Sequence, residues 1–157
     1  PPHVTSRRQR QMCIRDRVSS GKPEVKSYPF TTKAVSLGHI KKKYTVLQVM
    51  DTPGLLDRPD LERNDMEKQG IAAFDYLEPV IVFLTDLTGN SGYSIQMQTN
   101  LRDELKLRYP NCQWIDVFSK RDLEFESEAN FEDAIEVSAY KQEGIDFLKD
   151  KLLGTIP

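Results

Sequence analysis

The run Val80–Asp86 constrains the chain more than any other segment. It reads Val-Ile-Val-Phe-Leu-Thr-Asp, five apolar residues without a break before a polar end. A strand with one wet face alternates apolar and polar side chains, whereas a strand covered on both faces has no such need. The run therefore predicts an interior strand of a parallel sheet with helices packed on it. Parallel neighbours require long crossover connections, usually helical. The sequence after the run supplies them: Ser94–Tyr109 reads as a helix with Ser94 as its cap, and Ile145–Leu153 as a closing helix. Trp114–Ser119 and Ala134–Ser138 read as further strands. Upstream, Ala34–His39 and Tyr44–Asp51 read as two strands joined at Lys41-Lys42-Lys43, and Leu61–Tyr76 has helical spacing in Leu61, Met66, Ile71 and Phe74. The expected class is an α/β fold, a mainly parallel sheet flanked by helices.

Composition narrows what such a domain does. The 157 residues carry 22 Lys+Arg against 24 Asp+Glu, a formal net charge of -2, which argues against a protein that coats nucleic acid. Hydrophobic residues at 38% and charged residues at 29% describe a globular domain and not a disordered one. No apolar run approaches the ~18 residues of a membrane span. Cys13 and Cys112 alone cannot make a disulfide framework, which points to a reducing compartment.

Residues 1–17 differ from the rest, with Arg7, Arg8, Arg10, Arg15 and Arg17 against a single acid, Asp16. They show neither strand alternation nor a helical apolar stripe. A targeting peptide, a basic nucleic-acid arm and a foreign or disordered segment, such as a library scar, all fit that composition. The foreign reading is favoured. Domain organisation is then residues 1–17 as a separate segment and 18–157 as one partial domain.

In open α/β sheets the chemistry sits in loops beyond the carboxyl ends of the strands. Four polar groups stand there. Asp51-Thr52-Pro53-Gly54 follows a strand: an acid in that place can hold Mg²⁺ through water, and the glycine lets a backbone amide approach a terminal phosphate. Thr31-Thr32 lies upstream, where a loop hydroxyl can complete a magnesium shell. Ser119-Lys120-Arg121-Asp122 closes another strand; a carboxylate there can accept both the N1–H and the exocyclic amine of guanine, a donor pair that adenine lacks. The Lys120 stem can cover a base face. Ser138-Ala139 follows the next strand, where backbone amides can meet the guanine carbonyl. Each is weak alone, since turns and solvated charge clusters use the same residues. Their order and spacing are those of nucleotide-binding GTPases.

Tyr28-Pro29-Phe30-Thr31-Thr32-Lys33, Asp51-Thr52-Pro53-Gly54-Leu55-Leu56-Asp57 and Gly92-Tyr93-Ser94-Ile95 together resemble the Obg-type GTPases, and within them the nucleolar GTP-binding protein 1 family, archaeal members included. The resemblance runs from Val18 to about Pro157. It implies a P-loop GTPase-type fold and a GTP-hydrolysing switch that acts in large ribosomal subunit assembly. Its ligands would be GTP or GDP and Mg²⁺, and its partner the precursor of that subunit, with no membrane and no DNA. The location implied is cytoplasmic, or nucleolar in a eukaryote. By matching position, Thr32 and Asp51 would serve the metal and Gly54 the γ-phosphate, with Thr32 and Gly54 the catalytic pair. Asp51, Thr52, Pro53, Gly54, Ser119, Lys120, Asp122, Ser138 and Ala139 would line the nucleotide.

Three departures from that pattern matter. Ser119 stands where relatives carry Asn, and the lost hydrogen bond would cost ~1 kcal/mol of nucleotide affinity. Leu55 follows Asp-Thr-Pro-Gly where better-known switches place a water-orienting Gln, so slow unassisted turnover is expected. No G-x-x-x-x-G-K-[ST] string occurs anywhere, and Gly21-Lys22 lacks the leading glycine. Without that phosphate cradle and its strand the chain is expected to bind GTP poorly and hydrolyse it negligibly, leaving Tyr44–Asp51 and Val80–Asp86 without a common neighbour. A non-catalytic scaffold with a degenerate nucleotide site is the alternative function. Lys41-Lys42-Lys43 is either an RNA contact or a solvated hairpin tip, and His39, Cys112 and Trp114 read as packing residues.

Overall fold

The computed structural model describes residues 14–27, 34–51, 79–125, 129 and 131–155, and gives only the backbone for 20–27, 34–36 and 51. The expected helix Leu61–Tyr76 and the segment Tyr28–Lys33 lie outside the described residues.

Three strands form a parallel sheet in the order β4–β5–β6: β4 (Ile81–Asp86), β5 (Trp114–Ser119) and β6 (Ile135–Glu136). The β4–β5 register runs in step from Ile81 opposite Trp114 to Asp86 opposite Ser119, so both strands end level. Helix α1 (Ile95–Arg108) makes the crossover between them and helix α2 (Ile145–Gly154) closes the chain. Ser94 caps α1 as its hydroxyl position suggests, accepting the Met97 N–H at 3.1 Å. Gly144 caps α2 at φ 72, where any side chain would collide with the Glu136 carbonyl. The expected strand Ala134–Ser138 is shorter: the ladder pairs only Ile135 and Glu136, Val137 still bonds to Phe118, and Ser138 turns away to bridge with Glu143.

Alternate side chains of β4 and β5 point to opposite faces, and both faces are covered. Phe83 packs with Leu101, Leu105 and Tyr109 of the α1 layer, with Cys112 and Trp114 against them. The packing role expected of Cys112 and Trp114 holds. On the other face Ile115 and Val117 meet Ile145, Leu148 and Leu152 of α2. Double coverage is what the unbroken apolar run of β4 required.

The other described strands are antiparallel, in the order β1–β2–β3: β1 (Ser20–Ser27), β2 (Ala34–Lys42) and β3 (Thr45–Asp51). Strand β1 has no sequence signature, since Ser-Gly-Lys-Pro-Glu-Val-Lys-Ser is polar and contains two strand-weakening residues. Its register shifts between Ser20 and Glu24, the stretch holding Gly21 and Pro23, and an edge strand tolerates a proline there. Strand β2 runs through Lys42, so the hairpin turns at Lys43-Tyr44 and not across the three lysines. Lys43 takes φ 51, the left-handed conformation that tight hairpins ask for.

Residues 14–18 form a helical turn that the arginine-rich composition does not announce. Ile14 and Val18, four apart, enter the same apolar cluster as Ile40, Ile115 and Val117. Among the described residues no ladder joins β3 to β4; the two sheets meet through these side chains.

Candidate functional site

Strands β5 and β6 place their outgoing loops side by side. The Val137 N–H donates to the Phe118 carbonyl at 2.8 Å and the Arg121 N–H to the Val137 carbonyl at 3.1 Å, which ties one loop to the other. Lys120 sits between them at φ 60, a left-handed turn closed by the Leu123 N–H on its carbonyl at 3.0 Å. This turn lifts Asp122 toward Ser138.

The Ser138 hydroxyl donates to Asp122 Oδ1 at 2.5 Å and accepts the Lys141 N–H at 3.0 Å. Ser138 is fully buried, so its hydroxyl is fixed, and it pins one carboxylate oxygen of the half-buried Asp122. The Ser138 amide is engaged on the Glu143 carbonyl at 3.0 Å, so it does not serve the base-facing role expected of it. Ser119 donates its hydroxyl to the Thr85 carbonyl at 3.2 Å, a strand-to-strand tie reached by a side chain shorter than Asn.

Sequence motifs alone do not single out Asp86. It ends β4 almost fully buried; its Oδ1 accepts the Thr88 N–H at 3.0 Å and the Thr88 hydroxyl at 2.6 Å, and its Oδ2 pairs with the Lys120 ammonium. Burial pushes this carboxyl up, but the hydrogen bonds from Lys120 and Thr88 outweigh it and hold it below the ordinary carboxylate value. A legible signal existed: Asp86-Leu87-Thr88 is an acid at a strand end with a hydroxyl two residues on, the pattern of an Asx turn.

A second buried acid, Asp116, lies mid-strand on the face under α1. Arg102 grips both its oxygens at 2.7 and 2.6 Å, and Lys106 adds a contact at 3.2 Å. Arg102 also stacks 4.0 Å above the Phe131 ring. Burial again raises the carboxyl, and Arg102 and then Lys106 bring it below the ordinary value. The Asp116 bond in turn raises the guanidinium.

Of the sequence-predicted residues, Ser119, Lys120, Asp122, Ser138 and Ala139 come together at the ends of β5 and β6. Thr32, Thr52, Pro53 and Gly54 lie outside the described residues, and Asp51 is described only as the backbone that ends β3. Among the described residues no cluster of His, Cys, Asp and Glu could hold a metal ion, and no helix is long and apolar enough to cross a membrane.

Residues 65–122 match the model of the nucleolar GTP-binding protein 1 family. The nucleolar GTP-binding protein 1 of Kluyveromyces lactis is 35% identical over 133 residues, covering 85% of this chain and 18% of that protein. The chain is similar to the nucleolar GTP-binding protein 1 family over these residues. An uncharacterised protein of Methanocaldococcus jannaschii is 49% identical over 83 residues, 53% of this chain and 23% of its own length. The chain thus spans less than a quarter of the length of these two relatives. The crystal structure of a Plasmodium falciparum protein assigned to nucleolar GTP-binding protein 1 superposes with a TM-score of 0.76 at 25% identity, covering 98% of this chain and 80% of that one. The fold is that of a P-loop GTPase domain.

Proposed function

We propose that this chain is the guanine-reading part of a GTP-hydrolysing switch that acts in large ribosomal subunit assembly. The observation that carries the reading is the Asp122 carboxylate, held by a buried Ser138 hydroxyl on one oxygen at the ends of two adjacent parallel strands. A charged acceptor fixed this way favours a base with two adjacent donors and penalises one without them. Lys120 would lie along the base and the Ala139 amide would meet the guanine carbonyl. Thr32 and Asp51 offer the hard oxygen donors that Mg²⁺ takes, and that ion would neutralise phosphate charge. Gly54, after Thr52-Pro53, would bring its amide to the γ-phosphate. Similarity to the nucleolar GTP-binding protein 1 family supports these roles by position.

The absence of a G-x-x-x-x-G-K-[ST] string favours a second reading, a non-catalytic scaffold with a degenerate site. Titration of a fluorescent guanine nucleotide with Mg²⁺ tests the first. Binding competed by GDP and not by ADP supports the guanine site. Should this chain stay silent, grafting a phosphate loop onto it separates the two: restored guanine-selective binding supports the switch, and continued silence the scaffold.

A further inference from the structure

We propose that Asp86 is a positioning residue that holds the Lys120 side chain in place at the base-reading loop, with Thr88 and Gln98 fixing Asp86 in turn. The functional half of this proposal rests on the guanine reading above; the tether itself does not.

Lys120 is thirty-four residues from Asp86 in sequence, and their ion pair joins the end of β4 to the loop after β5. A lysine stem has four rotatable carbons and wanders unless its head is held. Here the head is held twice, by Asp86 Oδ2 and by Thr88 Oγ1 at 3.5 Å. The acid cannot swing away, because Thr88 occupies its other oxygen through both amide and hydroxyl. Nor can the strand end shift. The fully buried Gln98 of α1 accepts the Asp86 N–H at 2.9 Å and donates to the Asp86 carbonyl at 3.0 Å. It donates to the Tyr93 carbonyl as well, at 3.3 Å.

A buried ion pair is a poor device for stability alone, since its desolvation offsets much of its attraction. It is a good device for setting one side chain in one place, which is what a base-covering lysine needs. Depression of the Asp86 carboxyl keeps the anchor charged across the neutral range.

Two readouts on this chain test the proposal. The first needs no nucleotide: competitive acetylation of the free protein, with Lys120 labelling measured by mass spectrometry against the exposed Lys151. Asp86→Asn is nearly isosteric and should raise relative Lys120 labelling several-fold, with Thr88→Val, which deletes only the hydroxyl, in between. Unchanged labelling in both variants overturns the tether.

The second is a double-mutant cycle on fluorescent GDP affinity. Asp86→Asn and Lys120→Ala should each weaken binding about ten-fold, and the double variant should be no worse than Lys120→Ala. Losses that multiply would make Asp86 a merely structural acid and overturn its positioning role. Should the wild-type chain bind no guanine nucleotide, the same cycle is run on the chain carrying the grafted phosphate loop; silence there refutes the guanine reading, and the labelling result then decides the tether by itself.

Discussion

Two buried aspartates sit on neighbouring strands of the same sheet and are put to different use. Asp116 is mid-strand, under α1, and all its partners are cations of that helix. Asp86 is at a strand end, and its ion-pair partner belongs to the loop after the next strand. Each carboxyl lies below its ordinary value against the push of burial, so both stay charged. The first fastens a helix to the sheet; the second fastens one loop to another. Chemistry is equal in the two places, and position along the strand decides what the charge does.

The largest effect that would sharpen this contrast is on stability. Asp116→Ala strips Arg102 of a bidentate partner in a mostly buried setting and should cost about 3 kcal/mol. A fall in the urea midpoint with unchanged slope is the expected result, with little change in nucleotide affinity relative to folded protein. If affinity fell as much as stability, the two acids would not be separable.

Ser138→Ala should do the reverse. It releases the Asp122 carboxylate, and losing a hydrogen bond to a charged acceptor should weaken GDP binding by about 2 kcal/mol. Guanine-over-adenine selectivity should fall with it, as read by GDP and ADP competition.

Acid should act on both sites together. The unfolded carboxyls titrate at about 3.9, and those of folded Asp86 and Asp116 lower. Below about pH 5 the unfolded chain therefore binds more protons than the folded one, so stability rises with pH across that window and is lost as pH falls through the folded values. Urea midpoints between about pH 5 and pH 3 should slope less steeply in Asp116→Ala than in the wild type.

The smallest effect belongs to Ser119. An Asn in its place reaches further than the hydroxyl now resting on Thr85, and Ser119→Asn should tighten guanine nucleotide binding by ~1 kcal/mol. Equal affinities would show that the serine already makes the bonds that matter.

Much of this half of the molecule was legible beforehand. The run ending in Asp86 announced a doubly covered strand, Ser94 announced a helix start, and Asp122 and Ser138 were found where strands end. Strand β1 was not, because Gly21 and Pro23 weaken any local preference and its pairing to β2 comes from tertiary context. Ile14 and Val18 were hidden by the arginines around them, since two apolar residues at one helical spacing make no stripe. Asp86 belongs to no named motif, so its sequence context marks only a turn. Its role depends on Lys120, a residue that sequence distance does not bring near.

Gln98 has a mechanical consequence. Its amide meets both the N–H and the C=O of one residue, as a paired strand would, so turning the amide over would set carbonyl against carbonyl. The group therefore has one orientation, and it welds the first turns of α1 to the tip of β4. A displacement of the first turn of that helix would therefore carry the tip of β4, and Asp86 with it.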